Sequence, residues 1–119
     1  MTKEQATELA EHWVTAWNAH DLDAIMSHYA DDVVLTSPVV VERLGEATGT
    51  VRGRQALRAY FAIGLGAYPE LRFELKDLMW GVNSVVLYYS NQKGTMTGEF
   101  MEVGPEGKVT RVVANYSGG

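Results

Sequence analysis

Glu99 is the residue of this chain best suited to proton chemistry. It falls in a β-rich run between Thr97 and Met101, and the period of two of a strand puts Glu99, Met101 and Val103 on one face. A carboxyl sharing a face with such neighbours is partly removed from water. Desolvation penalises the charged form and raises the pKa, and a group poised near neutrality can take up a proton, return it, or donate a hydrogen bond to an oxyanion. Strand parity leaves an alternative open, in which Phe100 points inward and Glu99 sits in water, as most glutamates do.

A small-molecule site needs several polar groups converging on an apolar cleft. Candidates to line one are the phenols of Tyr29, Tyr60, Tyr88 and Tyr116, the indoles of Trp13 and Trp17, the Ser37 hydroxyl and the Met101 thioether. Each has an ordinary role as well. Trp13 and Trp17 lie on an apolar helical face and are core by default. Ser37 has no neighbouring base, so it is a weak nucleophile whose hydroxyl bonds either a ligand or the strand end.

Three other groupings carry less. His12, His20 and His28 do not form the His-x-x-x-His pair of a helical metal site, so no metal is expected. Asp31 and Asp32, between a helix end and a strand start, are expected to face water. Arg43, Arg52, Arg54 and Arg58 are either an anion-binding face or solvated surface, and no function rests on them.

Composition narrows the partners. A chain of 119 residues with 46% hydrophobic and 21% charged residues fits one globular domain over 1–119. Its formal charge of −5 disfavours nucleic acid and anionic membranes, which require a basic footprint. The N-terminal residues carry no signal-peptide core and no run long enough to span a bilayer, so a cytoplasmic location is expected. Cysteine is absent, and no phosphate loop, dinucleotide fingerprint or nucleophile elbow is present, so no cofactor is expected.

The elements that must position these residues read as follows. Thr2 and Gln5 have capping-box spacing, and Ala6, Leu9, Ala10, Trp13, Val14 and Trp17 share the face of a first helix. Asp21 caps a short second helix through Leu22, Ile25, Met26 and Tyr29. Val33 to Ser37 is a first strand stopped by Pro38, and 39–53 reads as a mobile excursion with a short strand at Val39 to Val41. Leu57, Tyr60, Phe61, Gly64 and Tyr68 mark a third helix between Gly53 and Pro69. Three turn clusters divide the rest into strands near 71–80, 84–91, 95–103 and 108–116, forming an antiparallel meander. Near Asp77 the apolar phase slips by one residue, which requires either a β-bulge or a strand buried on both faces. Helices followed by a meander form the α+β pattern.

This order of elements, with Ala19-His20-Asp21-Leu22-Asp23, Tyr29-Ala30-Asp31-Asp32-Val33-Val34, Pro38, Gly53-Arg54-Gln55-Ala56-Leu57 and Gly107-Lys108-Val109, resembles the SnoaL-like branch of the nuclear-transport-factor-2-like, or ketosteroid isomerase-like, superfamily. The resemblance covers nearly the whole chain. It implies a cystatin-like cone, in which three N-terminal helices pack on a strongly curved mixed or antiparallel sheet that encloses an apolar pocket, with homodimers formed through the sheet. It also implies an activity drawn from isomerases, polyketide cyclases, epoxide hydrolases, dehydratases or plain binding proteins. Glu99 falls where the isomerases carry a hydrogen-bond-donating aspartic acid, and Trp13 falls where they carry an oxyanion-hole tyrosine. The position of their general base, just before Pro38, is Ser37.

The expected function is a cofactor-free pocket protein for a small hydrophobic carbonyl compound, with isomerase- or cyclase-type proton transfer through Glu99. The alternative is a non-catalytic ligand-binding or dimerising module of the same fold.

Overall fold

The structure is a computed structural model and describes residues 1–117. Helix α1 (Lys3–Asn18) begins at the expected capping box: the Thr2 hydroxyl accepts from Gln5 N–H, and the Gln5 side chain accepts from Thr2 N–H. Its buried face is Ala6, Ala10, Trp13, Ala16 and Trp17. The small alanines let the helix approach the sheet, and the tryptophans fill the space beyond them. Helix α2 (Leu22–Met26) is capped by Asp21, whose carboxylate accepts from Ala24 N–H.

Strand β1 (Tyr29–Thr36) starts four residues earlier than the apolar run at Val33 indicates. Asp31 and Asp32 therefore lie within the strand, with their side chains exposed as expected.

The segment after it corrects the sequence expectation. Residues 38–44 form helix α3 (Pro38–Leu44) instead of a mobile excursion with a strand at Val39 to Val41. The valines have β propensity, but the flanking residues decide. Pro38 occupies the first helical turn, the Ser37 hydroxyl accepts from Val39 N–H at 3.2 Å, and Gly45 ends the helix at φ +67°. The helices thus number four among the described residues, not three. Gly49 then turns the chain back with φ +67°, so close to Ser37 that a Cβ there would lie 2.9 Å from the Ser37 carbonyl oxygen.

Strand β2 (Thr50–Arg52) leads to α4 (Arg54–Ala67). Strands β3 (Glu74–Trp80), β4 (Ser84–Ser90), β5 (Met96–Val103) and β6 (Val109–Tyr116) follow closely the four expected runs. The sheet has the order β2-β1-β6-β5-β4-β3, antiparallel except for the β1–β6 pair, and is therefore mixed. The phase slip near Asp77 is a bulge. Leu75 pairs with Tyr89 and Asp77 with Tyr88, leaving Lys76 as the extra residue, so Leu75 and Leu78 can face the same side. The bend this imposes curves the sheet edge toward the helices.

No helix among the described residues is long and apolar enough to cross a membrane.

Candidate functional site

Parity on the two central strands determines what the hollow of the sheet contains. On β4, Val85, Leu87 and Tyr89 are buried; on β5, Thr97, Glu99 and Met101 are. Glu99 therefore points inward, and Phe100 does not. It pairs across the sheet with Leu87 on one side and Ala114 on the other, neither of which offers a polar group. Its partner comes from the diagonal: the Tyr89 hydroxyl donates to Glu99 Oε1 at 2.8 Å. Burial pushes the Glu99 carboxyl up to about 7, only partly opposed by the Tyr89 hydrogen bond.

Glu99 lies on the wall of a cleft of about 570 Å³ between the helices and the sheet. This is within the usual range for small-molecule sites. Aromatic rings make one side. Trp13 stacks on Phe73 with centroids 5.6 Å apart, Tyr89 packs on both, and Trp17 meets Phe61 edge-on at 4.8 Å. Asn18 fixes this side by a two-way clamp: its amide donates to the Phe73 carbonyl and its oxygen accepts from Phe73 N–H, at 2.9 and 2.7 Å. The His20 ring bonds the Leu71 carbonyl in the same junction.

Hydroxyls form the opposite side. Ser37 Oγ lies 3.5 Å from the Tyr116 hydroxyl and also neighbours that of Tyr60. Burial pushes the Tyr60 phenol up to about 12 and the Tyr116 phenol higher still, so both keep their protons at neutral pH and can donate.

Of the expected site residues, the cleft brings together Glu99, Trp13, Trp17, Ser37, Tyr60 and Tyr116. Three others require correction. Tyr88 has the opposite parity to Tyr89 and projects from the outer face of the sheet, 42% exposed. Met101 shares the inward face with Glu99 but lies one step deeper, between buried Val85 and Val112, where side chains fill the cone. Tyr29 is buried behind the wall, and its hydroxyl accepts from Trp13 Nε1 at 2.9 Å.

That bond also commits the one donor Trp13 has, so the ring shapes the cleft without its N–H serving a ligand. The Trp17 indole N–H faces the same phenol but makes no hydrogen bond. Tyr89 was not among the expected residues, although the alternation Val85, Leu87, Tyr89 signals its direction. Arg43, Tyr68 and Lys93 also line the cleft; Tyr68 continues the apolar face of α4, whereas Arg43 and Lys93 come from segments the sequence reads as irregular.

The remaining charges and imidazoles are held elsewhere. Arg58 pairs with Asp23 at 2.6 Å and Arg54 donates to the Met26 carbonyl, so this part of the arginine cluster ties α4 to α2. His12 and His28 meet edge-on near the far end of β5. No group of three metal-ligating side chains occurs among the described residues.

No curated protein is significantly similar to the chain. Among solved structures, a SnoaL-like protein of unknown function from Burkholderia thailandensis E264 is 40% identical, with a TM-score of 0.95 over 98% of each chain. A protein from Kribbella flavida DSM 17836, provisionally called a ketosteroid isomerase, is 19% identical with a TM-score of 0.76, covering 98% of this chain and 80% of that one. TerC, co-crystallised with polyporic acid, is 16% identical with a TM-score of 0.77, covering 95% and 92%. The α+β architecture is the cystatin-like one that the resemblance implies. With residues 10–116 matching the SnoaL-like domain, the chain belongs to the SnoaL-like family.

Proposed function

We propose that the chain binds a small hydrophobic carbonyl compound in this cleft and moves a proton on it without a cofactor, as an isomerase or cyclase does. The observation that carries this reading is Glu99: a buried carboxyl on a cavity wall, poised at about 7, with one phenol as partner. Near neutral pH both of its forms are populated. The carboxylate takes a proton from the carbon next to a carbonyl, and the C–H electron pair moves into an enolate. The resulting carboxylic acid returns the proton to a different carbon, which regenerates the carboxylate and leaves an isomer. Tyr60, Tyr116 and Ser37 supply donors for the enolate oxygen, a role that requires phenols to be protonated. TerC, co-crystallised with polyporic acid, supports small-molecule binding in this fold.

A second reading is a binding protein without turnover. Ser37 favours it, since a hydroxyl stands there in place of a carboxylate base and no second deep carboxylate is present on the wall among the described residues.

The outer face of the sheet supports a homodimer. A row of apolar side chains, Met79, Val86, Phe100 and Val113, crosses four neighbouring strands in register, with Tyr88 exposed beside it. Such a face can pair with a copy of itself about a two-fold axis.

Screening β,γ-unsaturated aryl ketones should give turnover that falls by about a hundredfold or more in Glu99→Gln with folding intact, the scale of a lost general base. Binding without turnover in the wild type selects the second reading, and undiminished turnover in a folded Glu99→Gln variant rules out the Glu99 mechanism. In sedimentation, the wild type should run at twice the mass of the chain, and Phe100→Lys at the monomer mass; a monomeric wild type contradicts the dimer.

Stability should also depend on pH through Glu99. Its folded value of about 7 lies above the ordinary 4.5, so the folded state holds the proton more tightly. The stability this contributes is complete below about 4.5 and is lost as pH rises through 7, by roughly 3 kcal/mol in total. His28, lowered mainly by burial, acts in the opposite sense and loses stability as pH falls, but it is common to wild type and variant. Urea denaturation should therefore find Glu99→Gln gaining on the wild type between pH 5 and 8; parallel pH profiles contradict the assignment.

A further inference from the structure

The mouth of the cleft has a chemistry that the proton-transfer reading leaves unused. Three elements meet there on Tyr68, the residue that ends α4. Arg43 of α3 donates to the Tyr68 hydroxyl at 2.6 Å, and its guanidinium carbon lies 4.9 Å from the ring centroid. Lys93, in the β4–β5 turn, brings its ammonium to 5.4 Å from the same centroid. All three side chains line the cleft.

Among the described residues, neither cation has a carboxylate partner. The ion pairs among the described residues are Arg58–Asp23 and Lys76–Glu74, and neither involves Arg43 or Lys93. In a chain of charge −5, acids are plentiful, yet these two bases converge on a neutral ring. Glu42 is the one acid on the rim among the described residues; as the residue before Arg43 on α3 it is rotated about 100° from it around the helix axis. A phenol is a weaker acceptor for a guanidinium than a carboxylate, which bonds it with charge assistance and in bidentate geometry.

We propose that the ligand has two chemically different ends: a carbonyl held deep in the cleft near Glu99, and a carboxylate at the mouth held between Arg43 and Lys93. The ligand class is a small hydrophobic keto acid. This rests on the reading of the cleft as a carbonyl-compound site and specifies which carbonyl compounds it takes. The aromatic wall between the two ends fits the apolar middle of such a molecule. The two cations lie in solvent-facing positions, where an anionic group can stay partly hydrated and so avoid the cost of full burial.

The test uses 4-benzoylbutyrate and its methyl ester, which differ in one charge, with calorimetry on the full chain. At low salt the acid should bind about tenfold more tightly than the ester, and this advantage should shrink in 1 M salt. Arg43→Gln with Lys93→Gln should bring the ratio to about two or less, and Glu42→Gln should move it the other way. Equal affinity of the two probes for the wild type overturns the keto-acid assignment and leaves the cleft reading standing. A ratio that survives in the folded double variant overturns the role of these two cations. Failure of both probes to bind overturns the cleft reading and the mouth assignment with it.

Discussion

The site depends on one unequal contest, between the cost of keeping Glu99 out of water and the single hydrogen bond that Tyr89 gives it. A hydrogen bond to an ionised group contributes roughly 1.5–3 kcal/mol net, whereas removing a carboxylate from water costs several kcal/mol even after relaxation. The carboxyl resolves the deficit by holding its proton up to near neutrality. That balance exists only while the surroundings stay dry and apolar. Leu87 and Ala114 flank Glu99 on the sheet, and Tyr89, which bonds it, packs on the Trp13 and Phe73 rings. The bulge at Lys76, the Asn18 clamp and the Trp13–Tyr29 bond are the devices that hold those rings in place. The Asn18 clamp and the Trp13–Tyr29 bond also satisfy polar groups that would otherwise be an isolated cost.

The cleft is electrically graded along its length. A titratable acid lies within it, phenols that keep their protons line the middle, and two cations stand on an aromatic ring at the opening. The fold achieves this by drawing each zone from different elements: the acid from β5, the hydroxyls from α4, β6 and the start of α3, and the cations from α3 and the β4–β5 turn. Such a division lets relatives keep the cone and change the chemistry, which is why membership of the SnoaL-like family specifies architecture more closely than activity.

Much of this was legible in the chain. The helical face through Trp13 and Trp17, the strand runs and the slip at Asp77 are periodicity signals, and periodicity follows directly from burial on one side of an element. The inward direction of Glu99 was one of two open parities; the neighbouring alternation on β4 resolves it, because paired strands bury the same face. The failures have equally physical origins. In α3 a β-prone valine run is overridden by its caps, Ser37-Pro38 and Gly45. Tyr88 and Tyr89 are adjacent tyrosines that only register can tell apart, and the depth of Met101 depends on where the cone narrows, a property of the packed elements with no local signature. Arg43 was hidden in a cluster of which two other members, Arg54 and Arg58, serve the α2–α4 contact.

The central claim is that the carboxyl in the cleft is protonated well into the neutral range. Carbon-13 NMR of protein labelled at glutamate side-chain carboxyls, with Glu99→Gln to assign the resonance, measures it directly. The account predicts a midpoint for Glu99 near 7, standing apart from the other glutamates. A midpoint close to the ordinary 4.5 would show that water reaches the group, and would contradict the account.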